Sequence, residues 1–226
     1  MTQPRLFHRW SAAEGMMLRM VLGAKGIAYE SMACGLLDQE SAFDLGYADL
    51  PILLWPNGQH QQGRIKDLEA MDQEYPQPFL LQGRIAPAEW QAFLTWRDNL
   101  TPLRERLIAP VLPAYAEIGG DAAATAFFRG ECQRRFATSI ESLANDRYDA
   151  YAQLERRGHL RELARRLAQQ GFYGATLSLV DIVLTADLHL LRLLDGVTIP
   201  LDLLYYFQRV ATACGVSLED GMAHHL

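Results

Sequence analysis

The sequence predicts a small α/β domain followed by an all-α domain, and two observations carry this prediction. In roughly the first third of the chain, short apolar runs with strand-like alternation take turns with helical stretches. From Pro87 onwards, every apolar pattern has helical spacing. A proline-containing segment separates the two patterns. We therefore expect domains at 1–76 and 87–226, joined by a linker at 77–86.

The first domain is expected to form a small mixed sheet, because helical crossovers join its early strands and a hairpin follows. The hairpin is predicted from the turn Pro56-Asn57-Gly58, which follows a compact apolar run. In order, the expected elements are a strand at 5–10, a helix that stops at Gly26, a strand at 27–34, a weak short helix at 38–45, strands at 51–55 and 59–62, and a helix that Asp67 caps and that runs to about Tyr75.

The second domain is expected to be helical throughout. Proline lacks an amide proton and clashes with the preceding turn. Pro102, Pro110 and Pro113 are therefore expected to kink or divide the first long helix. Further helices are expected, in order, at 121–135, 139–170, 178–194, 200–214 and 217–222.

Charge and hydropathy exclude several classes of protein. The formal net charge of −6 argues against a nucleic-acid binder that works by bulk charge. No apolar run approaches the length of a membrane span. The N-terminal residues lack the pattern of a secretory signal. We therefore expect a cytoplasmic protein with neither a membrane nor a nucleic-acid partner.

The spacing of cysteine and histidine argues against disulfide and metal chemistry. Cys34, Cys132 and Cys214 stand far apart, and no Cys-x-x-Cys pair occurs, so no disulfide framework or dithiol motif is visible. The six histidines show no metal-ligand spacing, and we expect no metal site. His189, on an apolar helix, is interpreted as a satisfied core histidine.

Two capping patterns and one proline stand out. Ser11 and Glu14 fit the pattern Ser-x-x-Glu and predict a capping box for the first helix. The same helix start offers unpaired amides to a thiolate or carboxylate ligand, and both interpretations remain open. Ser178 and Asp181 form a second box, interpreted as structural. Pro51 opens an apolar strand, where a cis peptide bond is an option.

These features, in this order, resemble the glutathione S-transferase superfamily, which pairs a thioredoxin-like N-terminal domain with a helical C-terminal domain. The chain most resembles the two-domain glutaredoxin 2 branch of that superfamily. The resemblance spans nearly the whole chain and implies an α/β thioredoxin-like N-terminal domain plus an all-α C-terminal domain. The matching stretches are Leu6 to Trp10 as the first strand, Leu18 to Ile27 as helix 1 and its exit, Leu50 to Leu53 as the cis-proline motif, Ser178 to Asp181 as the cap of the helical domain and, more loosely, Pro78 to Leu81, Glu89-Trp90 and Leu107 to Pro110.

The resemblance breaks at the reactive position. Glutaredoxins of this branch carry Cys-Pro-Tyr-Cys where this chain has Ala12-Ala13-Glu14-Gly15. The nucleophilic cysteine of the branch and the catalytic serine of serine-type transferases both fall on Ala12. Alanine has no group that attacks a disulfide, so we predict no dithiol redox activity. Ser11 lies one residue early and is the weak candidate for a catalytic side chain.

The resemblance also implies a site for glutathione. The family binds the γ-glutamyl end of glutathione through an acidic residue followed by a serine, and the matching positions look like Lys66 and Asp67. Lys66 would pair with the ligand's carboxylate, and Asp67 would accept from its amino group. A plain cap of helix 3 is the alternative role of Asp67. The residues implied to bind the ligand are Trp10, Ala12, Leu50, Pro51, Lys66 and Asp67.

Two further groups of side chains have alternative interpretations. Aromatic residues on the first helix of the second domain border the cleft in this family, with ordinary interdomain packing as the alternative. An arginine cluster at 156–166 is interpreted as a solvated helix face, with a partner-binding patch as the alternative. The residues on the first helix are Trp90, Phe93, Trp96 and Arg97.

We therefore expect a glutathione S-transferase-like protein that binds glutathione or a related small thiol, as substrate or ligand, in the interdomain cleft. If it is an enzyme, the expected reaction is glutathione conjugation, with the amides of helix 1 stabilising the thiolate. The alternative is a non-catalytic interaction or regulatory member of the superfamily, with a protein partner. A cleft filled by Met16 and Met17 would favour this alternative. Monomer and homodimer both remain open.

Overall fold

A computed structural model describes residues 3–38, 49–75 and 77–223. The short helix expected at 38–45 lies outside these residues from position 39 onwards. The rest of the expected order of elements can be compared directly.

The first domain contains the mixed sheet that the sequence predicts. Its strand order is β2-β1-β3-β4, with β1 parallel to β2 and antiparallel to β3, and with β3 antiparallel to β4. Leu6 in β1 lies opposite Ser31 and Leu53, and both leucines are fully buried. The strands are β1 (Arg5–His8), β2 (Glu30–Ala33), β3 (Ile52–Leu54) and β4 (His60–Gln61).

Two helices cover this sheet, α1 (Ala13–Ala24) and α2 (Ile65–Glu74). Gly26, at φ +63, follows the end of α1 as expected. Asp67 is the third residue of α2 and not its cap, because the helix begins one turn earlier than predicted, after Arg64.

A buried ion pair joins α1, α2 and the segment that follows α2. The Lys25 ammonium lies 2.8 Å from the Asp72 carboxylate and donates to the carbonyl of Tyr75 at 2.6 Å. Asp72 also accepts from the amides of Leu80 and Leu81. These bonds stabilise the turn towards the second domain, because a buried pair that loses one partner leaves an uncompensated charge.

The second domain is all-helical, as predicted, and its core is continuous with that of the first domain. Helix α1 packs against α9, and Gly23 lies so close to the carbonyl of Cys214 that any larger side chain would collide with it. The helices are α3 (Pro87–Ile108), α4 (Ala116–Gly119), α5 (Ala122–Phe136), α6 (Ile140–Asn145), α7 (Arg147–Gly158), α8 (Leu160–Gln170), α9 (Leu179–Leu188) and α10 (Leu201–Ala213), with 3-10 segments at Ala109–Ala114 and His189–Leu193.

Three expectations for this domain were wrong in detail. Helix α3 continues through Pro102, which is exposed, so that water can satisfy the carbonyl that loses its donor. The stretch 139–170 forms three helices and not one, with breaks at Asp146 and at His159, whose φ is +51. No helix forms at 217–222: residues 218–221 form turns, and Met222 pairs with Tyr115 in an isolated bridge.

The capping box of the helical domain is confirmed. The Asp181 carboxylate accepts from the Ser178 hydroxyl at 2.5 Å and from the Ser178 amide at 2.8 Å. It also accepts from the Tyr173 amide at 2.6 Å and from the Tyr206 hydroxyl at 2.8 Å. Because the carboxylate is fully buried, these four donors replace the water it loses.

Candidate functional site

The loop between β1 and α1 differs from the expected capping box. Helix α1 begins at Ala13, and its N-cap residue is Ala12, which supplies no side-chain hydrogen bond. Ser11 does not cap the helix, and its hydroxyl donates instead to the carboxylate of Glu117 at 2.5 Å. The prediction of a Ser11–Glu14 box was therefore wrong. The start of α1 retains amides that no side chain caps.

Glu117, on α4, fixes this loop from the second domain. Its carboxylate accepts from the Trp10 amide at 2.8 Å, from the Ser11 amide at 2.9 Å and from the Ser11 hydroxyl. A hydroxyl that gives its proton to a carboxylate does not also give it to a thiolate. This geometry does not support Ser11 as a catalytic side chain. Sequence reasoning missed Glu117, because no local pattern marks a contact across 106 residues.

Trp10 is enclosed by α1 and by the segment after α10. The Arg19 guanidinium lies 4.3 Å from the centre of the Trp10 ring. Arg19 in turn pairs with the carboxylate of Asp220. At Gly221, an added Cβ would lie 2.1 Å from Cγ of Trp10, so the backbone itself packs on the indole. Trp10 therefore has a packing role in this structure.

A cavity of about 260 Å³ lies between the start of α1 and the second domain. We call it the cleft cavity. Met16 and Met17 are buried in the core and do not line it, so the cleft is open. Trp10, Leu50, Pro51, Lys66 and Asp67 are not among its lining residues, which are Ser11, Ala12, Ala13, Glu14, Arg104, Glu105, Ile108, Ala109, Leu112, Phe128, Glu131, Cys132, Arg135 and Phe136.

A chain of charges runs along the wall of the cleft cavity that α3 and α5 form. Arg104 is buried and pairs with the carboxylate of Asp187 behind it. Arg97 also binds Asp187, with its Nε 2.6 Å from the carboxylate. Arg135 pairs with Glu105, whose carboxylate lies 3.9 Å from Arg104. Arg97 and Arg104 are thus paired with Asp187, and Arg135 is paired with Glu105. Because Glu14 and Glu131 also line the cavity, its side chains carry no positive excess.

The start of α1 meets two other segments of the first domain. The peptide bond between Leu50 and Pro51 is cis, as the motif implies. The Gln62 side chain donates to the carbonyl of residue 49 at 3.1 Å. A Cβ added at Gly63 would lie 2.6 Å from the carbonyl oxygen of Glu14, so the chain before α2 touches α1 directly. The fold thus brings the Pro51 segment and the starts of both helices together.

Lys66 and Asp67 lie in the first turn of α2. The Asp67 carboxylate accepts a hydrogen bond from the amide of Arg64 at 3.3 Å. Asp67, the third residue of α2, thus stabilises the N-terminus of the helix by bonding back to its N-cap residue. Lys66 is exposed and forms no ion pair with any residue in the described ranges. The Lys66 ammonium is therefore available to a ligand, whereas the Asp67 carboxylate already accepts one hydrogen bond from the backbone.

The cleft cavity also holds a thiol that the family's motif does not predict. Cys132, on α5, is 3% exposed, and burial raises the pKa of its thiol. Cys214 lies deeper, and burial raises the pKa of its thiol to about 12. Thiols of this kind are weak nucleophiles near neutral pH. Within residues 3–38, 49–75 and 77–223, no group of three potential ligands could hold a metal ion.

The aromatic residues of α3 divide between two roles. Trp90 donates from its indole to Glu69 of α2 at 2.6 Å, which is interdomain packing. Phe93 and Trp96 line a different cavity, inside the second domain, so the expectation that they border the cleft was wrong for these two. Arg104, two turns further along α3 than Arg97, is the cation that reaches the cleft cavity.

A family profile matches more than half of the chain. The family is described as glutaredoxin 2, C-terminal domain, and the match covers residues 92–223. The chain belongs to the glutaredoxin 2 family. A sequence comparison with curated proteins gives no match.

Solved structures extend the likeness to the whole fold of this glutaredoxin 2 family member. Glutaredoxin 2 from Salmonella typhimurium, in complex with glutathione, is 21% identical, with a TM-score of 0.80 over 99% of this chain and 100% of that one. A glutathione S-transferase from Ceriporiopsis subvermispora, in complex with glutathione, is 16% identical, with a TM-score of 0.70 over 95% and 97%. A Tau class glutathione S-transferase from mango, Mangifera indica, is 15% identical, with a TM-score of 0.65 over 98% and 93%.

These comparisons confirm the predicted architecture, a thioredoxin-like domain followed by a helical domain of the glutathione S-transferase type. Among the described helices, none combines the length and the apolar character that crossing a bilayer requires.

Proposed function

We propose that the protein binds glutathione, or a related small thiol, between its two domains and has no dithiol redox activity. The observation that carries this proposal is the start of α1, where Ala12 stands at the cysteine position of the branch and no side chain caps the helix. Ala12, Ala13 and Glu14 there line a cavity of about 260 Å³. The similar structures from Salmonella typhimurium and Ceriporiopsis subvermispora are complexes with glutathione.

The starts of two helices, rather than the side-chain charges of the cleft cavity, support an anionic ligand. The amino end of a helix carries a partial positive charge, which stabilises a thiolate or a carboxylate placed there. The starts of α1 and α2 touch through Gly63, so the two positive helix ends lie close together. Lys66 is exposed beside one of them. On the opposite wall of the cleft cavity, Arg104 and Arg135 lie among Glu105 and Glu131, so that wall adds no net positive charge.

Glutathione conjugation is the reaction that this arrangement suits. The bound thiolate would form a bond to an electrophilic carbon, and the leaving group would depart with its electron pair. Leu112, Phe128 and Phe136 supply an apolar wall for such an electrophile. Stabilisation of the thiolate would come from backbone amides of α1 and not from the Ser11 hydroxyl, which is bound to Glu117.

Disulfide reduction needs a reactive thiol that this site lacks. Ala12 and Gly15 stand at the two cysteine positions of the motif. Cys132 is the thiol of the cleft cavity, but burial raises its pKa and lowers its thiolate fraction at neutral pH.

Calorimetric titration with millimolar glutathione tests the binding. We expect saturable binding that Lys66→Ala and Asp67→Ala weaken by several-fold. Glu74→Ala, which removes an exposed carboxylate at the other end of α2, is the matched control and should leave the affinity unchanged. Absence of both heat and thermal shift would contradict the proposal. Rapid turnover in a glutathione-coupled disulfide assay would contradict the proposed absence of dithiol redox activity.

The alternative function is that of a non-catalytic interaction protein, and one surface favours it. Leu201 and Tyr205 lie one turn apart on α10 and are 67% and 66% exposed. Large apolar side chains exposed side by side are typical of contact surfaces. A protein that ignores glutathione but associates through this face, so that Tyr205→Ser abolishes the association in sedimentation, would support the alternative.

A further inference from the structure

A second cavity lies wholly within the helical domain. Its volume is about 390 Å³, which falls in the range of small-molecule sites, roughly 300–1,000 Å³. We call it the helical-domain cavity. It shares no lining residue with the cleft cavity, and the proposed function makes no use of it. It is formed by Glu89, Ala92, Phe93, Trp96, Gly158, His159, Glu162, Leu163, Arg166, Tyr173 and Leu184.

Aromatic rings form one wall of this cavity. Phe93 stacks on Trp96 with 5.7 Å between ring centres, and the edge of Tyr173 meets Phe93 at 6.1 Å. Trp96 and Tyr173 are only half-buried, so their rings remain accessible from the cavity. The face of an aromatic ring carries negative electrostatic potential and attracts cations.

The charged groups of the cavity carry an excess of negative charge. Glu89 and Glu162 contribute two carboxylates, and Arg166 contributes one cation. Within the part of the chain that the structure describes, none of these three side chains forms an ion pair. The Arg166 guanidinium lies instead 4.2 Å from the centre of the Tyr173 ring. The protein's own cation thus already occupies a ring face at this cavity, and its exposed side chain can move aside.

The backbone at the rim of the cavity is held in an unfavourable conformation. His159, which lines the cavity, has a φ of +51, in the left-handed region that glycine adopts without cost. Strained residues of this kind concentrate at binding sites. A glycine here would end α7 and open α8 more cheaply, yet the chain places an imidazole at the rim.

We propose that the helical-domain cavity binds an apolar organic cation, of the class of aromatic or quaternary amines. The charge of the ligand lies among Glu89, Glu162 and the rings of Trp96 and Tyr173. Its apolar part lies against Phe93, Leu163 and Leu184. This site is additional to the glutathione site and does not depend on it.

A pair of probes with one ring system and opposite charges tests the proposal. The probes are (1-naphthylmethyl)trimethylammonium and naphthalene-1-sulfonate, titrated by calorimetry against the full chain. We expect saturable binding of the cation, about tenfold or more tighter than that of the sulfonate. Equal or tighter binding of the sulfonate would overturn the proposal.

Substitutions that are expected to weaken or to tighten binding of the cation locate the site. Glu162→Gln should weaken binding of the cation several-fold, and Trp96→Leu should weaken it further. Arg166→Gln should tighten it, because the substitution removes a like charge and frees the Tyr173 face. Glu155→Gln removes a carboxylate that lies outside the cavity and should have no effect. Cation binding that is indifferent to Trp96→Leu and Glu162→Gln would overturn the proposal.

A variant that is expected to keep the stability of the parent chain completes the test. His159→Gly relieves the left-handed backbone, so its midpoint in urea should be equal to or higher than that of the parent chain. We expect weaker binding of the cation, because the substitution removes a side chain that lines the cavity, and an unchanged glutathione titration. Unchanged cation binding would contradict the placement of the ligand in this cavity, because the His159 side chain is part of its lining.

Discussion

Single residues around the β1–α1 loop have roles that their neighbours in sequence do not indicate. Ser11 stands three residues before Glu14 and predicts a local cap. In the structure, the Ser11 hydroxyl donates instead to the carboxylate of Glu117, which also accepts from the amides of Trp10 and Ser11. The Ser11 hydroxyl could bond either to a backbone amide of the helix or to the charged Glu117 carboxylate. Hydrogen bonds to charged groups are the stronger ones, so the bond to Glu117 forms.

Ser11→Ala separates the structural role of the hydroxyl from a catalytic one. We expect a loss of roughly 1.5–3 kcal/mol in the free energy of unfolding, the usual range for a hydrogen bond to a charged group. We expect the affinity for glutathione and any conjugation rate to change little, because the hydroxyl faces Glu117. Urea unfolding and calorimetric titration measure the two effects. A large loss of activity with unchanged stability would contradict the prediction and support a catalytic role for the Ser11 hydroxyl.

At the scale of elements, periodicity predicted most of the fold. Alternation predicted β1, helical spacing predicted α1 and α10, and the pattern from Ser178 to Asp181 predicted the start of α9. The break at His159 could not be predicted, because histidine does not mark a left-handed residue as glycine does. The order of motifs places the candidate site at the start of α1, beside which the structure has the cleft cavity. It did not predict Glu117, Arg104 or Cys132, because these reach the site through tertiary packing alone.

Ala12→Cys tests what the start of α1 does to a negative charge. A thiol at the N-cap of an uncapped helix has a lowered pKa, because the helix stabilises the thiolate. We expect the variant to react with iodoacetamide at pH 6 much faster than a free thiol does. The parent chain is the control, because Cys132 and Cys214 are buried thiols with raised pKa values. A thiol pKa at or above the ordinary value would argue that Glu117 cancels the field of the helix.

At the scale of the whole molecule, two buried histidines make stability depend on pH. His8 Nε2 forms a hydrogen bond with the hydroxyl of Ser31 at 2.8 Å, and His189 Nδ1 lies 3.1 Å from the carbonyl of Thr185. His189 is buried as expected but is only half satisfied, because its Nε2 has no partner in the described part of the chain. Burial lowers the pKa of each imidazole to about 4.

The sign of this effect follows from where protons bind. As the pH falls through 6.5 the unfolded chain takes up protons at both histidines, whereas the folded chain does so only near pH 4. Stability is therefore lost between these values, by about 2 kcal/mol per histidine at pH 5 relative to pH 7. Asp181 acts in the opposite direction, because burial raises the pKa of its carboxyl above the unfolded value.

Urea unfolding at pH 7 and pH 5 measures the loss. His189→Gln should reduce the difference between the two conditions by about 2 kcal/mol. His159→Asn, at an exposed imidazole, is the control and should keep the difference. Equal stability of the parent chain at both pH values would contradict the prediction.

The packing of Asp220 and Gly221 on Arg19 and Trp10 also has a consequence for synthesis. Domains fold as the ribosome delivers them, the N-terminal one first. The residue that neutralises Arg19 arrives 201 positions after it. The first domain can therefore build its sheet early, but Trp10 and Arg19 stay without these two contacts on the ribosome until residues 220 and 221 have emerged. For that interval, a chaperone or a ligand meets the indole of Trp10 before the protein's own backbone does.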